Sequence, residues 1–379
     1  MKKLYTVLAV ILLASMVLTA CGSPATPAAT EAPVVTAAPA DTAVPPTVAP
    51  TTAPKFKVGE VTDLGGVDDK SFNASGWQGV QDAIAQLGVD GKYLESKQQS
   101  DYAKNIQQFL DEKTDLIVTV GFLLGVDTAT AAKANPNTKF AIVDYSYPDC
   151  FGTAVEGKDC GSATEMPNVL GLTFQTDQAA FMAGYAAAAS TKTGTVGTFG
   201  GINIPPVTIF MKGFQAGVEY YNTQKKASVK LLGWDTKKND GLFTGNFNST
   251  DDGKKFATSL AQEGADIIMP VAGPVGLGSA SYCQQSGKCK IIGVDTDWTV
   301  SSAEYKDIIL TSVIKKINVA VFNTIKSAQA GSFKGGVYVS TLANGGVDIA
   351  PVAGASADLT AELAQIKADI ISGKITIGQ

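Results

Sequence analysis

The chain has 379 residues, 45% of them hydrophobic, with 35 acidic and 30 basic side chains and a formal net charge of −5. Every basic residue is a lysine, and histidine is absent. The acidic balance argues against a nucleic-acid face, and the missing histidine removes the commonest general base and transition-metal ligand. Without arginine there is no bidentate fork for carboxylates or phosphates, so a neutral polar ligand fits better than a nucleotide or an organic acid, and neither metal nor cofactor is expected.

Lys2 and Lys3, an apolar run over residues 4–18 and small residues before Cys21 have the order of a secretory signal. The apolar run is shorter than the ~20 residues of a spanning helix. Leu18-Thr19-Ala20-Cys21 resembles a lipobox, in which cleavage leaves a diacylglyceryl group on the cysteine. The expected layout is a signal peptide over 1–20, then a lipidated Cys21 and a stalk over 21–55. The stalk, rich in Pro, Ala and Thr, has too little apolar surface to fold. The body would then sit lipid-anchored on the extracytoplasmic face of the cell membrane. In that oxidising compartment Cys150, Cys160, Cys283 and Cys289 allow three pairings. Cys150 with Cys160 and Cys283 with Cys289 are favoured, because each pair brackets a short polar segment.

From Phe56 onward short β-branched runs alternate with amphipathic stretches. Residues 57–61 read as a strand. Residues 61–79, VTDLGGVDDKSFNASGWQG, then form a glycine-rich turn carrying Asp63, Asp68, Asp69, Phe72 and Asn73 before a helix over 77–87. A turn between a strand end and a helix start is where open α/β sheets place their ligands. Strands are predicted at 93–94, 116–120 and 140–144, the last ending on Asp144, with helices over 102–112 and 128–133. After a loop over 150–168 the series restarts, with strands at 169–174, 195–201, 230–234, 266–270 and 290–295 and helices over 177–190, 209–221 and 253–262. The last of these strands also ends on a carboxylate, Asp295. Continuous apolar runs alternating with helices mean parallel sheets covered on both faces, so two doubly wound lobes with a cleft between them are expected. The first lobe is assigned 56–176 plus 306–333, with the 308–313 strand and the 317–328 helix crossing back to complete it. The second takes 177–305 plus 334–379.

Seven ordered pieces carry a resemblance: Val67 to Asn73 followed by Gly76 and Gly79; Asp144; Phe181-Met182-Ala183-Gly184-Tyr185; Gly213-Phe214-Gln215-Ala216-Gly217; residues 272–278; Gly293 to Asp297; and Thr311 to Lys315. Together, behind a lipobox, they resemble the basic-membrane-protein family of substrate-binding lipoproteins, the PnrA-like nucleoside receptors of ABC transporters. The resemblance implies a two-lobed type I periplasmic-binding fold, a purine nucleoside in the cleft, and an ABC permease with its ATPase as partners of a monomeric receptor. Carried over residue by residue, Phe72 and Phe210 would sandwich the base, and Asp144 would read its edge. Asp295 and Lys315 would bind the ribose hydroxyls, while Asp63, Asn73 and Gly273 would line the pocket. Phe214 competes with Phe210, Lys316 with Lys315, and helix capping is the alternative for Asp144 and Asp295. Trp298 departs from the family pattern and is a possible extra aromatic wall, whereas Trp77 reads as lobe packing. An enzymatic reading compares the Asp63 turn with the aspartate cluster of nucleoside hydrolases. It fails on spacing, since Val61 stands where a further aspartate is needed, and on the absent histidine acid.

Overall fold

Runs that are apolar on both faces build two largely parallel sheets in the computed structural model, which describes residues 54–147 and 166–377. Residues 1–53, on which the expected signal peptide, Cys21 and most of the expected stalk fall, and the Cys150–Cys160 pair lie outside the described residues. The first sheet contains β1 (Lys57–Thr62), β2 (Asp90–Leu94), β3 (Leu116–Val120), β4 (Lys139–Val143), β5 (Val169–Phe174) and β13 (Gly336–Ser340), in the order β13-β5-β4-β3-β1-β2 and parallel throughout. The second contains β6 (Thr195–Gly200), β7 (Lys230–Leu232), β10 (Ile267–Val271), β11 (Lys290–Asp295), β12 (Ile309–Lys315) and β14 (Val347–Ile349), in the order β14-β12-β11-β10-β6-β7. Its edge strand β14 runs antiparallel to β12. Position for position the two orders match, so each lobe repeats one construction.

The chain passes between lobes three times. After β5, helix α4 (Thr176–Ser190) packs on α5 (Pro205–Lys225) and on β12 of the second lobe. After β12, helix α9 (Ile317–Gln329) returns to pack on α1 (Phe72–Leu87). The last passage joins β13 to β14. Two expectations are corrected here. Residues 309–315 complete the second sheet rather than the first, and 336–340 pair with β5 in the first sheet rather than opening a return to the second. The short link from β11 through α8 (Trp298–Ser301) favours pairing of sequential strands, and an apolar run does not itself name its sheet.

Helix α1 starts at Phe72, five residues earlier than its apolar spacing indicates. The reason is Asp69, whose carboxylate accepts the amides of Ser71 at 2.9 Å, Asn73 at 2.7 Å and Ala74 at 3.0 Å. These are the unpaired donors of a helix N-terminus. Cys283, on α7 (Val275–Ser286), is disulfide-bonded to Cys289 just before β11.

The glycines of two sequence motifs serve packing. At Gly184 and Gly217 the α4 and α5 backbones approach so closely that a Cβ would overlap the carbonyls of Phe214 and Phe181 respectively. Gly217→Ala is therefore expected to force these helices apart and to cost about 1–3 kcal/mol. A thermal unfolding midpoint lowered by several degrees checks it; an unchanged midpoint would show that the helix pair has slack.

Candidate functional site

Strands β4 and β11 occupy equivalent places in the two sheets, and each hands its chain to an aspartate in the left-handed region: Asp144 with φ 65° and Asp295 with φ 67°. A non-glycine residue there costs of order 1 kcal/mol, least for Asp and Asn. Among the described residues neither carboxylate caps a helix; Asp297 does that for α8, accepting the Thr299 amide at 2.9 Å. Asp144 and Asp295 are both buried and face one cavity between the lobes.

Lys315, at the end of β12 and 2% exposed, reaches from the second lobe to the first and donates from Nζ to Asp144 Oδ2. Its ammonium also lies 4.8 Å from the centre of the Phe72 ring, 5.1 Å from Phe174 and 5.9 Å from Phe210. These are cation–π distances. Lys316, next to Lys315, is exposed to solvent. Ser71 Oγ donates to Asp295 Oδ2 at 2.9 Å, tying the turn before α1 to the far lobe. Beside it Thr296 Oγ1 donates to the Lys70 carbonyl at 3.0 Å, and Lys70 pairs with Glu304 at 2.7 Å on the surface.

Asp63 is held by its neighbours. Tyr102, fully buried, donates its hydroxyl to Asp63 Oδ1; the Leu64 amide donates to the same oxygen at 2.7 Å. The Asp63 amide in turn donates to Asn73 Oδ1 at 2.9 Å. Burial pushes the Asp63 carboxyl up to about 6, against the pull of these hydrogen bonds. It does the same for Asp144, also to about 6, with Lys315 pulling down and Asp295 adding to the rise. The Asp295 carboxyl is raised by burial as well.

The eight residues proposed from sequence fall together. Asp63, Phe72, Asn73 and Asp144 from the first lobe and Phe210, Gly273, Asp295 and Lys315 from the second all line this one cavity. Its enclosed volume is about 70 Å³, smaller than the roughly 300–1,000 Å³ of open small-molecule sites. Phe210 lines it, whereas Phe214 is fully buried in the core. Trp298 is no wall of the cavity. It is buried beside Gly293 and Gly276, and its indole N–H donates to the Val294 carbonyl at 3.0 Å. Trp77 packs edge-on against Tyr93, on the first lobe. Asp69 shapes the turn and touches the cavity, while Asp68 faces solvent. Sequence reasoning missed Phe122 and Phe247 in the lining, Ser71 on Asp295, and Tyr102 behind Asp63.

The family model described as ABC transporter substrate-binding protein, PnrA-like, matches residues 56–379. The chain belongs to this family. A relative from Lactococcus lactis subsp. cremoris, called ABC transporter nucleoside-binding protein BmpA, is 32% identical over 339 residues, covering 85% of this chain and 88% of its own. Basic membrane protein A of Borreliella burgdorferi is 30% identical over 287 residues, covering 75% and 76%. Among solved structures, an ABC transporter solute-binding protein from Aeropyrum pernix K1 superposes with a TM-score of 0.71 at 24% identity, covering 84% of this chain and 92% of that one. The fold is thus the two-lobed type I periplasmic-binding fold, and the family role is substrate binding for an ABC transporter.

The raised Asp144 carboxyl has a signed consequence. In the folded state it titrates at about 6 instead of its ordinary 3.8, so between those values the folded form holds a proton that the unfolded form has lost. Its contribution to stability therefore falls as pH rises through that window and is constant above it. Asp144→Asn cannot titrate. The unfolding midpoint of the variant minus that of the wild type should climb between pH 4 and 6 and level off beyond; a difference independent of pH would refute the assignment.

Proposed function

We propose that the protein is a lipid-anchored, extracytoplasmic, monomeric receptor that binds a purine nucleoside between its lobes, performs no chemistry on it, and delivers it to an ABC permease powered by its ATPase. The observation that carries this reading is the lining of the cleft: two aromatic rings from each lobe, buried carboxylates and a single ammonium. Phe72 and Phe210 sandwich the base. Asp144 accepts from an N–H on the base edge, and Asp295 accepts from and Lys315 donates to the ribose hydroxyls. Asp63 and Asn73, fixed by Tyr102 and by each other, form the polar wall of the first lobe, and Gly273 lines the second.

Several features support a neutral nucleoside over its phosphate. Asp63, Asp69, Asp144 and Asp295 surround one lysine, so a phosphate would meet an excess of negative charge. Asp295 already accepts a neutral O–H from Ser71, which supports its accepting one from a ribose. The name of the Lactococcus relative points the same way. Tethering through Cys21 would keep the body beside its permease.

Calorimetric titration with adenosine, guanosine, inosine, cytidine and ribose tests the ligand class; binding of ribose with no nucleoside signal would overturn the stacking arrangement. Phe72→Ala should weaken purine nucleosides by one to two orders of magnitude, from a stacking contribution of ~1–3 kcal/mol, and unchanged affinity would return Phe72 to a packing role. Release of free base from inosine by the purified protein would contradict a receptor without catalysis.

A further inference from the structure

Two rings suffice to cover the faces of a base, yet a further ring from the second lobe, Phe247, lines the same cavity. It comes from outside the parallel strands of its lobe. The chain from 233 to 249 first forms a small antiparallel pair, β8 (Trp234–Asp235) with β9 (Asp240–Gly241). It then returns to the end of β6, where the amides of Thr244 and Gly245 donate to the carbonyls of Gly200 and Gly201 at 3.0 and 2.8 Å. Asn246 fixes the next turn. Its Oδ1 accepts the amides of Asn248 and Ser249 at 3.1 and 2.8 Å, and its Nδ2 donates to Asp252 Oδ2 at 3.0 Å.

The Phe247 ring lies against Gly201 so closely that a Cβ on the glycine would overlap the ring. Gly201 does not have the left-handed φ that would call for glycine on backbone grounds. What its missing side chain provides is room for the ring. A half-buried aromatic, pinned through its turn and seated on a bare backbone at a cavity wall, is a built feature of that wall.

We propose that Phe247 is a specificity-determining residue that favours bicyclic over monocyclic bases, with Gly201 as its positioning residue. The inference rests on the nucleoside reading above. With Phe72 and Phe210 on the two faces, Phe247 meets the rim of the base, where an aromatic edge contact adds to simple burial. A purine extends far enough to make that contact, and a pyrimidine falls short of it.

The test is a double-mutant cycle on the purified protein, with adenosine titrated directly and cytidine measured by competition. Phe247→Ala should weaken adenosine about tenfold and cytidine less than about threefold, narrowing the preference. Gly201→Ala, which displaces the ring, should weaken adenosine in the wild-type background and add less than about twofold in the Phe247→Ala background. Phe247→Leu, which keeps apolar bulk but not the ring, should fold like the wild type and lose the same preference. Equal losses for both nucleosides, or unchanged adenosine affinity, would overturn the specificity role, and an additive Gly201→Ala effect would overturn the positioning role. A wild type that binds ribose but no nucleoside would overturn the functional reading itself, and this inference with it.

Discussion

Removing a lysine ammonium from water costs several kcal/mol unless it is paired and its remaining surroundings compensate. Lys315 is the buried cation among the described residues, and its burial depends on both lobes at once. Its backbone belongs to β12 of the second lobe, its counter-ion Asp144 ends β4 of the first, and the rings nearest it come from α1, β5 and α5. If the lobes separated, the ion pair would be broken and the charge returned to solvent. Among the carboxylates raised by burial, Asp144 and Asp295 also meet a partner from the opposite lobe, Lys315 and Ser71. The closed cleft is therefore a balance of buried charges, and a ligand that supplies O–H and N–H donors to those carboxylates favours closure without adding charge of its own.

The repeated sheet explains why the site is assembled where it is. Equivalent strands end on equivalent aspartates in equivalent left-handed conformations, so the two lobes bring like groups to the two sides of the cleft. The repeat is broken where function needs difference. Lys315 ends β12, whereas Phe174 ends the matching strand β5, and these two residues meet as cation and ring face. An exactly symmetric cleft would place cation against cation.

Much of this was legible in the sequence because it rests on local chemistry. Apolar runs bounded by glycine marked the buried strands, and a carboxylate closing such a run marked Asp144 and Asp295. Aromatic and amide residues at the first turn marked Phe72 and Asn73. What escaped has a common cause. The sheet to which 309–315 and 336–340 belong is decided by long-range pairing, on which a short apolar run is silent. Phe247 sits in a polar, aperiodic stretch and reaches the cavity through hydrogen bonds made to Gly200 and Gly201, far away in the chain. Tyr102 looked like the first residue of an amphipathic helix, and its hydroxyl contact with Asp63 follows from packing across β1. The glycines at 184 and 217 fall inside the predicted helices, and a glycine within a helix does not say by itself which backbone approaches it.

The all-lysine composition has a practical corollary. Every basic side chain of the protein is a primary amine, and surface amines meet an acylating reagent freely, whereas Lys315 is shut inside the cleft against a carboxylate and three rings. Its modification has to wait for the lobes to part. The rate at which this one amine is labelled is thus a built-in clock for cleft opening, readable by mass spectrometry without introducing any probe, and a bound ligand would be seen as a slowing of that clock.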